Sequence, residues 1–333
     1  MGANRTFVIV LALFVPMAGC LGGDDAEEST PSQSPSAPTW ADWALFHSLE
    51  LDASDSTRSL AVSPDGDVLA FGSRDTTIRI WDVLRWRELS TLWNHTDDIR
   101  TLDFSPDGTL LASGSDDHKV MIWDTSDWAL VEAISNHSGD VDNVNFSPDG
   151  KLLASASNHR VMIWDTSNWT SVQELRIPSV TEDVIAIAFS PDANVIAAGT
   201  DRSNIHLWDA SNWTLVSTLR NHSSDVNSIS FSSDGTLLSS ASDDNSARVW
   251  NTSNWIEVTH LNQFTQSVDH IAFSPDSAAL FTCAGGSLTI WNTSDWSTLQ
   301  ESEEYGCDLS LAFSLDGSDM ATLSLREINY WKR

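Results

Sequence analysis

The sequence predicts an all-β protein built from seven copies of one four-stranded unit, and three recurring marks support this prediction. A Ser-Pro-Asp-Gly tetrad, or a degenerate copy of it, occurs seven times at steps of 40 to 43 residues. A Trp-Asp pair, or Trp followed by Asn or Lys, occurs seven times at steps of 40 to 44 residues. Six of these tryptophans are followed by a second Trp five residues later. Independent marks that share one period and one count indicate an internal repeat.

The marks run through almost the whole chain. The tetrads begin at Ser63, Ser105, Ser147, Ser190, Ser232, Ser274 and Ser314. The pairs begin at Trp81, Trp123, Trp164, Trp208, Trp250, Trp291 and Trp331. The second tryptophans are Trp86, Trp128, Trp169, Trp213, Trp255 and Trp296.

Each unit has the pattern of four short strands, and residues 98–134 illustrate it. The first strand alternates, with Leu102 and Phe104 on one face, and the tetrad then forms a turn. A small buried strand, a polar turn, an alternating strand that ends in Trp123, a turn rich in Asp, Ser and Thr, and a last alternating strand follow. We see no helical stretch of consequence in the repeats.

The two tryptophans of a unit flank a four-residue spacer of turn-forming residues in most copies. Residues that flank a hairpin loop face each other across the strands, so each pair is expected to be a cross-strand aromatic pair. Trp43 fits the same pattern, which leaves Trp40 and Trp93 outside the repeat.

The period and the Trp-Asp marks resemble the WD-repeat family, whose units form the four-stranded blades of β-propellers. The resemblance covers residues 40–333 and implies a closed seven-bladed β-propeller. The last unit stops at Arg333, after its third strand, while a strand-like segment with Trp43 precedes the first unit. We therefore expect the N-terminal strand to complete the last blade and to remove two open sheet edges.

The resemblance also implies a buried hydrogen-bond set, called the brace here, made of a His, a Ser or Thr, an Asp and the Trp. Two units match it fully, and the third has His137, Ser155 and Trp164 with Asn158 near the Asp position. Units four, six and seven lack the His. Because the set recurs at the blade period, we interpret it as structural bracing rather than as a catalytic triad. The fully matched sets are His95, Ser113, Asp117 and Trp123, and His222, Ser240, Asp244 and Trp250.

The N-terminal segment has the pattern of an export signal. An apolar run over 7–17 is too short to span a bilayer and is followed by Met17-Ala18-Gly19-Cys20, which resembles a prokaryotic lipoprotein cleavage box with Met17 where Leu is usual. The resemblance implies a signal peptide over 1–20, lipid on Cys20, and export to the outer face of the cell membrane. A plain secretory signal with an incidental Cys is the alternative. Residues 21–39 are rich in acid, Ser and Pro and are expected to form a flexible tether to the propeller at 40–333.

The charge balance and motif content exclude several functions. The chain has 17 Lys+Arg against 47 Asp+Glu, a net charge of −30, which argues against nucleic-acid binding. It contains no HExxH, CxxC, Gly-x-Ser-x-Gly or P-loop motif, and its carboxylate pairs fall in predicted turns. We therefore predict no enzyme activity, no catalytic residues, no cofactor and no metal site. The Asn-x-Ser/Thr sequons of the repeat turns are interpreted as turn residues, and glycosylation stays open; they begin at Asn94, Asn136, Asn168, Asn212, Asn221, Asn251 and Asn292.

Two further features bear on the site. Cys283 is placed at the end of the second strand of unit six and Cys307 at the start of unit seven, so a disulfide and two buried thiols are both considered. One face of the ring gathers the acidic tetrads, whereas the other is of mixed charge and is the expected partner face. Its candidate residues are Arg74, His118, Lys119, Arg160, Arg202 and Arg326.

The function predicted from these features is a membrane-tethered, monomeric, non-catalytic platform for protein–protein contact, with partners that the sequence does not identify. A surface receptor for a glycan or small ligand, with Trp40 and Trp93 as the aromatic residues to test, is the alternative. A propeller hydrolase is the third reading.

Overall fold

The computed structural model of the protein describes residues 43–51, 57–307, 309–325 and 327–333. Within them, 28 strands form seven antiparallel four-stranded sheets, each sheet being one blade. The same residues contain no helix with the length and apolar character needed to cross a membrane. The signal peptide, Cys20, the tether, Trp40 and Arg326 all lie outside the described residues.

The first four blades follow one plan, in which each strand pairs with the next along the chain. Blade 1 has β2 Thr57–Val62, β3 Val68–Ser73, β4 Ile78–Asp82 and β5 Arg87–Leu92. Blade 2 has β6 Ile99–Phe104, β7 Leu110–Ser115, β8 Val120–Asp124 and β9 Leu130–Ile134. Blade 3 has β10 Asn143–Phe146, β11 Leu152–Ser157, β12 Arg160–Asp165 and β13 Ser171–Arg176. Blade 4 has β14 Val184–Phe189, β15 Val195–Thr200, β16 Ile205–Asp209 and β17 Thr214–Leu219.

The last three blades include the closure. Blade 5 has β18 Val226–Phe231, β19 Leu237–Ser242, β20 Ser246–Asn251 and β21 Glu257–Leu261. Blade 6 has β22 Val268–Phe273, β23 Ala279–Ala284, β24 Gly286–Asn292 and β25 Thr298–Cys307. Blade 7 has β26 Ser310–Phe313, β27 Asp319–Leu323, β28 Glu327–Lys332 and, as its outer strand, β1 Ala44–Glu50.

The closure confirms the prediction of a closed seven-bladed propeller. Strand β1 runs antiparallel to β28, with Ala44 opposite Lys332 and Glu50 opposite Glu327. The first strands of successive blades contact one another around the full circle, from β2 through β26 and back to β2. These seven strands surround an axial channel.

The tetrad forms a turn, and its side chains hydrogen-bond to one another and to backbone N–H groups of that turn. In blade 2, Ser105 Oγ donates to Asp107 Oδ1 at 2.7 Å and accepts from the backbone N–H of Leu110 at 2.9 Å. Gly108 donates its N–H to the carbonyl of Ser105 and has a φ of 72°, which suits a residue without Cβ. The pKa of Asp107 is lowered, chiefly by the hydrogen bond from Ser105.

The second Trp of each pair does not occupy the predicted position. Trp123 lies opposite Leu130 in the hairpin, whereas Trp128 lies within the turn at a φ of 63° and donates its N–H to the carbonyl of Asp124 at 2.7 Å. The other five second tryptophans also have positive φ, between 47° and 62°. The prediction of directly opposed cross-strand pairs is therefore wrong. The predicted loop ended before the second Trp, whereas the turn in the structure includes it.

This geometry directs the second Trp toward the neighbouring blade. The apolar cores lie between adjacent blades, and each second Trp packs against the core shared with the preceding blade. Trp86 of blade 1 stacks on His47 of blade 7, with ring centroids 4.4 Å apart. Trp43 does the same for blade 7, because it packs against the core between blades 6 and 7.

Candidate interaction face

The antiparallel plan divides the turns between two faces of the ring. The tetrad face carries the turn after the first strand and the Trp turn after the third strand of each blade. The brace face carries the turn after the second strand and the loop that leads to the next blade. The brace face therefore receives the brace residues and the predicted partner-face residues together.

In blade 2 the brace is a continuous hydrogen-bond chain. Trp123 Nε1 donates to Ser113 Oγ at 3.0 Å, and Ser113 Oγ lies 2.8 Å from His95 Nε2. His95 Nδ1 lies 2.9 Å from Asp117 Oδ2, and since a carboxylate only accepts, Nδ1 donates and Nε2 accepts the serine proton. Burial alone would raise the pKa of Asp117, but the hydrogen bond from His95 and two backbone N–H groups lower it.

Blade 5 repeats the same arrangement. His222 Nε2 lies 2.6 Å from Ser240 Oγ, and Nδ1 lies 2.8 Å from Asp244 Oδ2. The Trp250 ring meets the His222 ring edge-on, with centroids 5.9 Å apart. The pKa of His222 is lowered by burial, against which the hydrogen bond to Asp244 acts.

Blade 3 has a shortened brace. His137 Nε2 lies 2.7 Å from Ser155 Oγ, which accepts from Trp164 Nε1 at 2.8 Å. Asn158 donates to Ser138 instead, so His137 Nδ1 has no partner among the described residues. Burial, and then the nearby Arg160 and His118, lower the pKa of His137 to about 4.

Blade 4 has a related hydrogen-bond set in which the carboxylate and the imidazole come from other positions than in blades 2 and 5. Sequence reasoning missed this set. The carboxylate comes from Glu182 in the loop before the blade, and the imidazole comes from His206 in the third strand. Glu182 Oε2 accepts from Asn204 Nδ2 at 3.0 Å and lies 3.4 Å from both Thr200 Oγ1 and His206 Nε2. A search for His before the first strand could not find this set.

Blade 6 replaces the imidazole with an apolar ring. Phe264 meets Trp291 edge-on at 5.8 Å and 69°, which matches the 6.2 Å and 70° of His137 and Trp164. Trp291 Nε1 donates to Thr282 Oγ1 at 2.9 Å. The spacing was a usable signal, because Phe264 precedes its Trp by the same 27 residues as His137 does.

The braces stabilise the fold but do not present a reactive group. The side chains of His95 and Asp117 are 1% and 2% exposed, and those of His222 and Asp244 are 1% and 7% exposed. Ser113 and Ser240 are fully buried. A substrate could not reach these hydroxyls without the blade opening, so the arrangement suits bracing.

The predicted partner-face residues lie on the brace face in blades 1 to 4. Arg74 is 3.5 Å from Asp98, and His118 is 3.5 Å from Asp140. Arg160 is drawn toward the outer strand by Glu174 at 3.3 Å. Lys119 and Arg202 lie in the turns of blades 2 and 4. His118 and Lys119 are adjacent in one turn of blade 2, whereas Arg74 pairs with a residue just before the first strand of that blade and Arg160 pairs within blade 3.

Sequence reasoning missed two arginines at the mouth of the axial channel. Arg58 and Arg100 occupy the same position in the first strands of blades 1 and 2. Arg100 is held by three carboxylates, with Asp142 at 3.0 Å and Asp140 at 3.2 Å in addition to Asp116. Hydrogen bonding to Asp116 raises the pKa of Arg100. The repeat pattern hid them, because the other five blades carry neutral, apolar or acidic residues at this position.

The arginines border a cavity of about 530 Å³ at this mouth, called the mouth cavity here. Apolar side chains also line it, among them that of Leu325, which is 71% exposed. The lining residues that matter here are Arg58, Arg74, Arg100, Ile185, Leu309 and Leu325.

Asp103 and His270 also line the channel. Asp103 accepts from the backbone N–H of Phe146 at 2.6 Å and from Asn145, both of blade 3. Burial raises the pKa of Asp103 to about 7, and burial lowers the pKa of His270 to about 4. Among the described residues no group of three His, Cys, Asp or Glu side chains could hold a metal ion.

Cys283 and Cys307 are joined by a disulfide with Cα atoms 5.2 Å apart. Cys307 ends β25 and pairs with Gly286 in blade 6, so its predicted place at the start of blade 7 is wrong. The strand β25 is ten residues long, longer than the outer strands of the other blades, and Cys307 at its end is buried in the core between blades 6 and 7.

Comparison with known families agrees with this geometry. Residues 56–211 match the family model described as the first β-propeller of IFT122, and residues 213–251 and 256–292 match the model of the WD domain, G-beta repeat. The chain is a WD-repeat β-propeller. None of the curated proteins compared with this WD-repeat propeller matches it. WD-repeat propellers generally serve as platforms that bind protein partners.

Proposed function

We propose that this WD-repeat propeller is a monomeric, non-catalytic platform for protein–protein contact, exported and held on the outer face of the cell membrane by lipid on Cys20. The observation that carries the platform role is the brace face, where buried hydrogen-bond chains fix the turns that present charged and apolar side chains to solvent. Fixed turns lose little freedom on binding, which favours recognition.

The export part of the proposal rests on the sequence alone. An apolar run that ends in Met17-Ala18-Gly19-Cys20 supports a lipoprotein-type signal. Two or more lipid chains hold a protein durably on a membrane. Mass spectrometry of the mature protein tests this part, and an N-terminus other than a lipidated Cys20 contradicts it.

Cross-linking in intact cells tests the platform role. Detergent extraction, affinity capture and mass spectrometry follow the cross-linking. We expect a stoichiometric protein partner cross-linked to turns of the brace face, such as the turn that holds Lys119. Cross-links confined to the tetrad face would contradict the assignment of the binding surface.

A ligand receptor is the second candidate, and one observation favours it. Trp93 lies in the loop before blade 2, on the brace face, and is 71% exposed. Exposed aromatic rings serve as stacking surfaces for sugars and other ligands. A glycan that changes tryptophan fluorescence in the native protein but not in Trp93→Ala would support this candidate. A membrane-bound protein with no cross-linked partner would also favour it.

A further inference from the structure

The lining of the mouth cavity differs in charge balance from the whole chain. The whole chain has 17 Lys+Arg against 47 Asp+Glu, whereas the cavity lining contains three arginines and a single acidic residue, Asp142. Arg100 is neutralised by the carboxylates that hold it, but Arg58 and Arg74 share only the carboxylate of Asp98, so the local surplus of positive charge belongs to this pair.

Three of the carboxylates that pair with these arginines do not line the cavity. Asp98, which pairs with Arg58 and Arg74, does not line it. Asp116 and Asp140, which hold Arg100 together with Asp142, do not line it either. A ligand in the cavity therefore meets Arg58 and Arg74 without meeting their carboxylate partner.

Arg58 and Arg74 keep donor capacity for a ligand. Their Nε atoms lie 3.9 and 3.5 Å from the same oxygen of Asp98, which are loose ion pairs rather than hydrogen bonds. Burial and then the positive charges of Arg74 and Arg100 lower the pKa of Arg58, so cationic groups crowd this side of the mouth. The carboxylate of a ligand would offset this positive charge and would accept two N–H hydrogen bonds from an arginine.

Apolar side chains line the cavity next to the arginines. Leu309 and Leu325 come from blade 7, which lies beside blade 1 in the ring, and Ile185 comes from blade 4. Leu325 is 71% exposed, so covering it would remove apolar surface from water. A ligand that suits this lining has a negative group and apolar groups side by side.

We infer that the mouth cavity binds a protein segment in which a Glu or Asp side chain lies next to aliphatic or aromatic side chains. This inference rests on the proposed platform function and names the chemistry of the partner. The carboxylate is received by Arg58 and Arg74, and the apolar side chains cover Leu309 and Leu325.

Labelled peptides provide the test on the full chain in neutral detergent. Three pools of twelve-residue peptides share Leu, Val, Phe and Ser positions and differ only in a central Glu, Gln or Lys. Fluorescence anisotropy should show the Glu pool binding about tenfold more tightly than the Gln pool, with the Lys pool weakest. Raising the salt concentration should weaken binding of the Glu pool.

A matched pair of double variants separates this site from general charge. Arg58→Gln with Arg74→Gln should weaken binding of the Glu pool about tenfold. Arg85→Gln with Arg87→Gln removes two arginines that likewise share one carboxylate, Asp82, but lie on the tetrad face, and should leave binding unchanged. Circular dichroism confirms that both variants are folded.

A separate variant tests the apolar part of the cavity lining. Leu325→Ser, at an exposed position, should weaken binding about fivefold. Equal binding of the Glu and Lys pools, equal effects of the two double variants, or no binding of any pool would overturn the inference. A cross-linked partner on the brace face together with such a result would leave the platform function standing.

Discussion

At the scale of single residues, the tetrad glycines combine a positive φ with contacts to the neighbouring blade. Gly66 and Gly108 have φ values of 75° and 72°, a region that costs other residues about 1 kcal/mol or more. A Cβ on Gly108 would lie 3.5 Å from its nearest neighbour, Pro64, whereas one on Gly66 would collide with the carboxylate of Asp319 in blade 7. The space available to a Cβ therefore differs between the two sites through this contact between blades 1 and 7.

Gly108→Ala and Gly66→Ala should therefore differ in cost. We expect Gly108→Ala to lower the free energy of unfolding by about 1 kcal/mol through backbone strain alone. Gly66→Ala should lower it by about 2 to 3 kcal/mol, because Asp319 must also move. Urea unfolding measures both, and equal losses would contradict the contact between blades 1 and 7.

The brace histidines should respond differently to an apolar ring. His222→Phe removes one of the three donors to the buried Asp244, besides the hydrogen bond to Ser240, and should cost about 3 kcal/mol. His137→Phe, which removes a ring with one unpartnered nitrogen, should cost no more than about 1 kcal/mol, since Phe264 fills the same place in blade 6. Thermal unfolding of the two variants makes the comparison. A larger loss for His137→Phe would show that the Asp adds nothing to the brace.

The pH dependence of stability should combine two opposing contributions. The pKa values of His137 and His270, ordinarily 6.5, are lowered to about 4 in the folded protein. The unfolded chain therefore binds these protons first, and the folded state loses stability as the pH falls from 6.5 toward 4. Asp103 and Asp142, ordinarily 3.8, have pKa values raised to about 7 and about 6. The folded protein binds these protons first, so this contribution increases stability as the pH falls through the same range.

Asp103→Asn should reveal the loss of stability that histidine protonation causes at low pH. Without the carboxyl, stability should fall more steeply between pH 7 and pH 4.5, whereas His137→Phe should make the fall shallower. Urea unfolding at several pH values measures the slopes. Asp127→Asn, at an exposed turn of the tetrad face, is the control and should keep the slope of the native protein.

At the scale of elements, blade 6 replaces part of its brace by a covalent bond. It has Phe264 in place of the His and a Gly-Gly turn in place of the Asp turn, and the disulfide ties β23 to β25 beside that turn. The separation of 24 residues corresponds to about 3 kcal/mol in a chain-entropy account. The disulfide therefore stabilises in blade 6 the region that brace hydrogen bonds stabilise in blades 2, 3 and 5.

Reduction should lower the melting temperature of the native protein. The double variant Cys283→Ala with Cys307→Ala should melt at the temperature of the reduced protein and should not respond to reductant. Differential scanning calorimetry makes the comparison. Two free thiols from these residues in the denatured, unreduced protein would contradict the bond.

The same scale shows what sequence could and could not predict. The strand count, the blade period and the closure followed from marks that recur in every unit. The exchanged brace of Glu182 and His206 did not, because its parts come from different strands than in the other blades. The left-handed Trp turns were missed because a hairpin rule was applied to a turn that includes the Trp. Arg58 and Arg100 were missed because an unshared residue carries no periodic signal.

At the scale of the whole molecule, the ring is held by strands from opposite ends of the chain. Without residues 40–50, β28 would present an unpaired edge, and Trp86 would lose its stacking partner His47. We expect this deletion to lower the melting temperature by several degrees or more and to cause aggregation. Light scattering during a thermal ramp measures both. Unchanged melting would contradict closure by β1.

The position of β1 also determines when the ring can close during synthesis. It is the first described strand to be synthesised, and its partner β28 is the last. A chain released before β28 is made cannot pair this strand, whatever the quality of the blades it has completed. Such a product keeps open sheet edges and stays exposed to proteases and to other open copies.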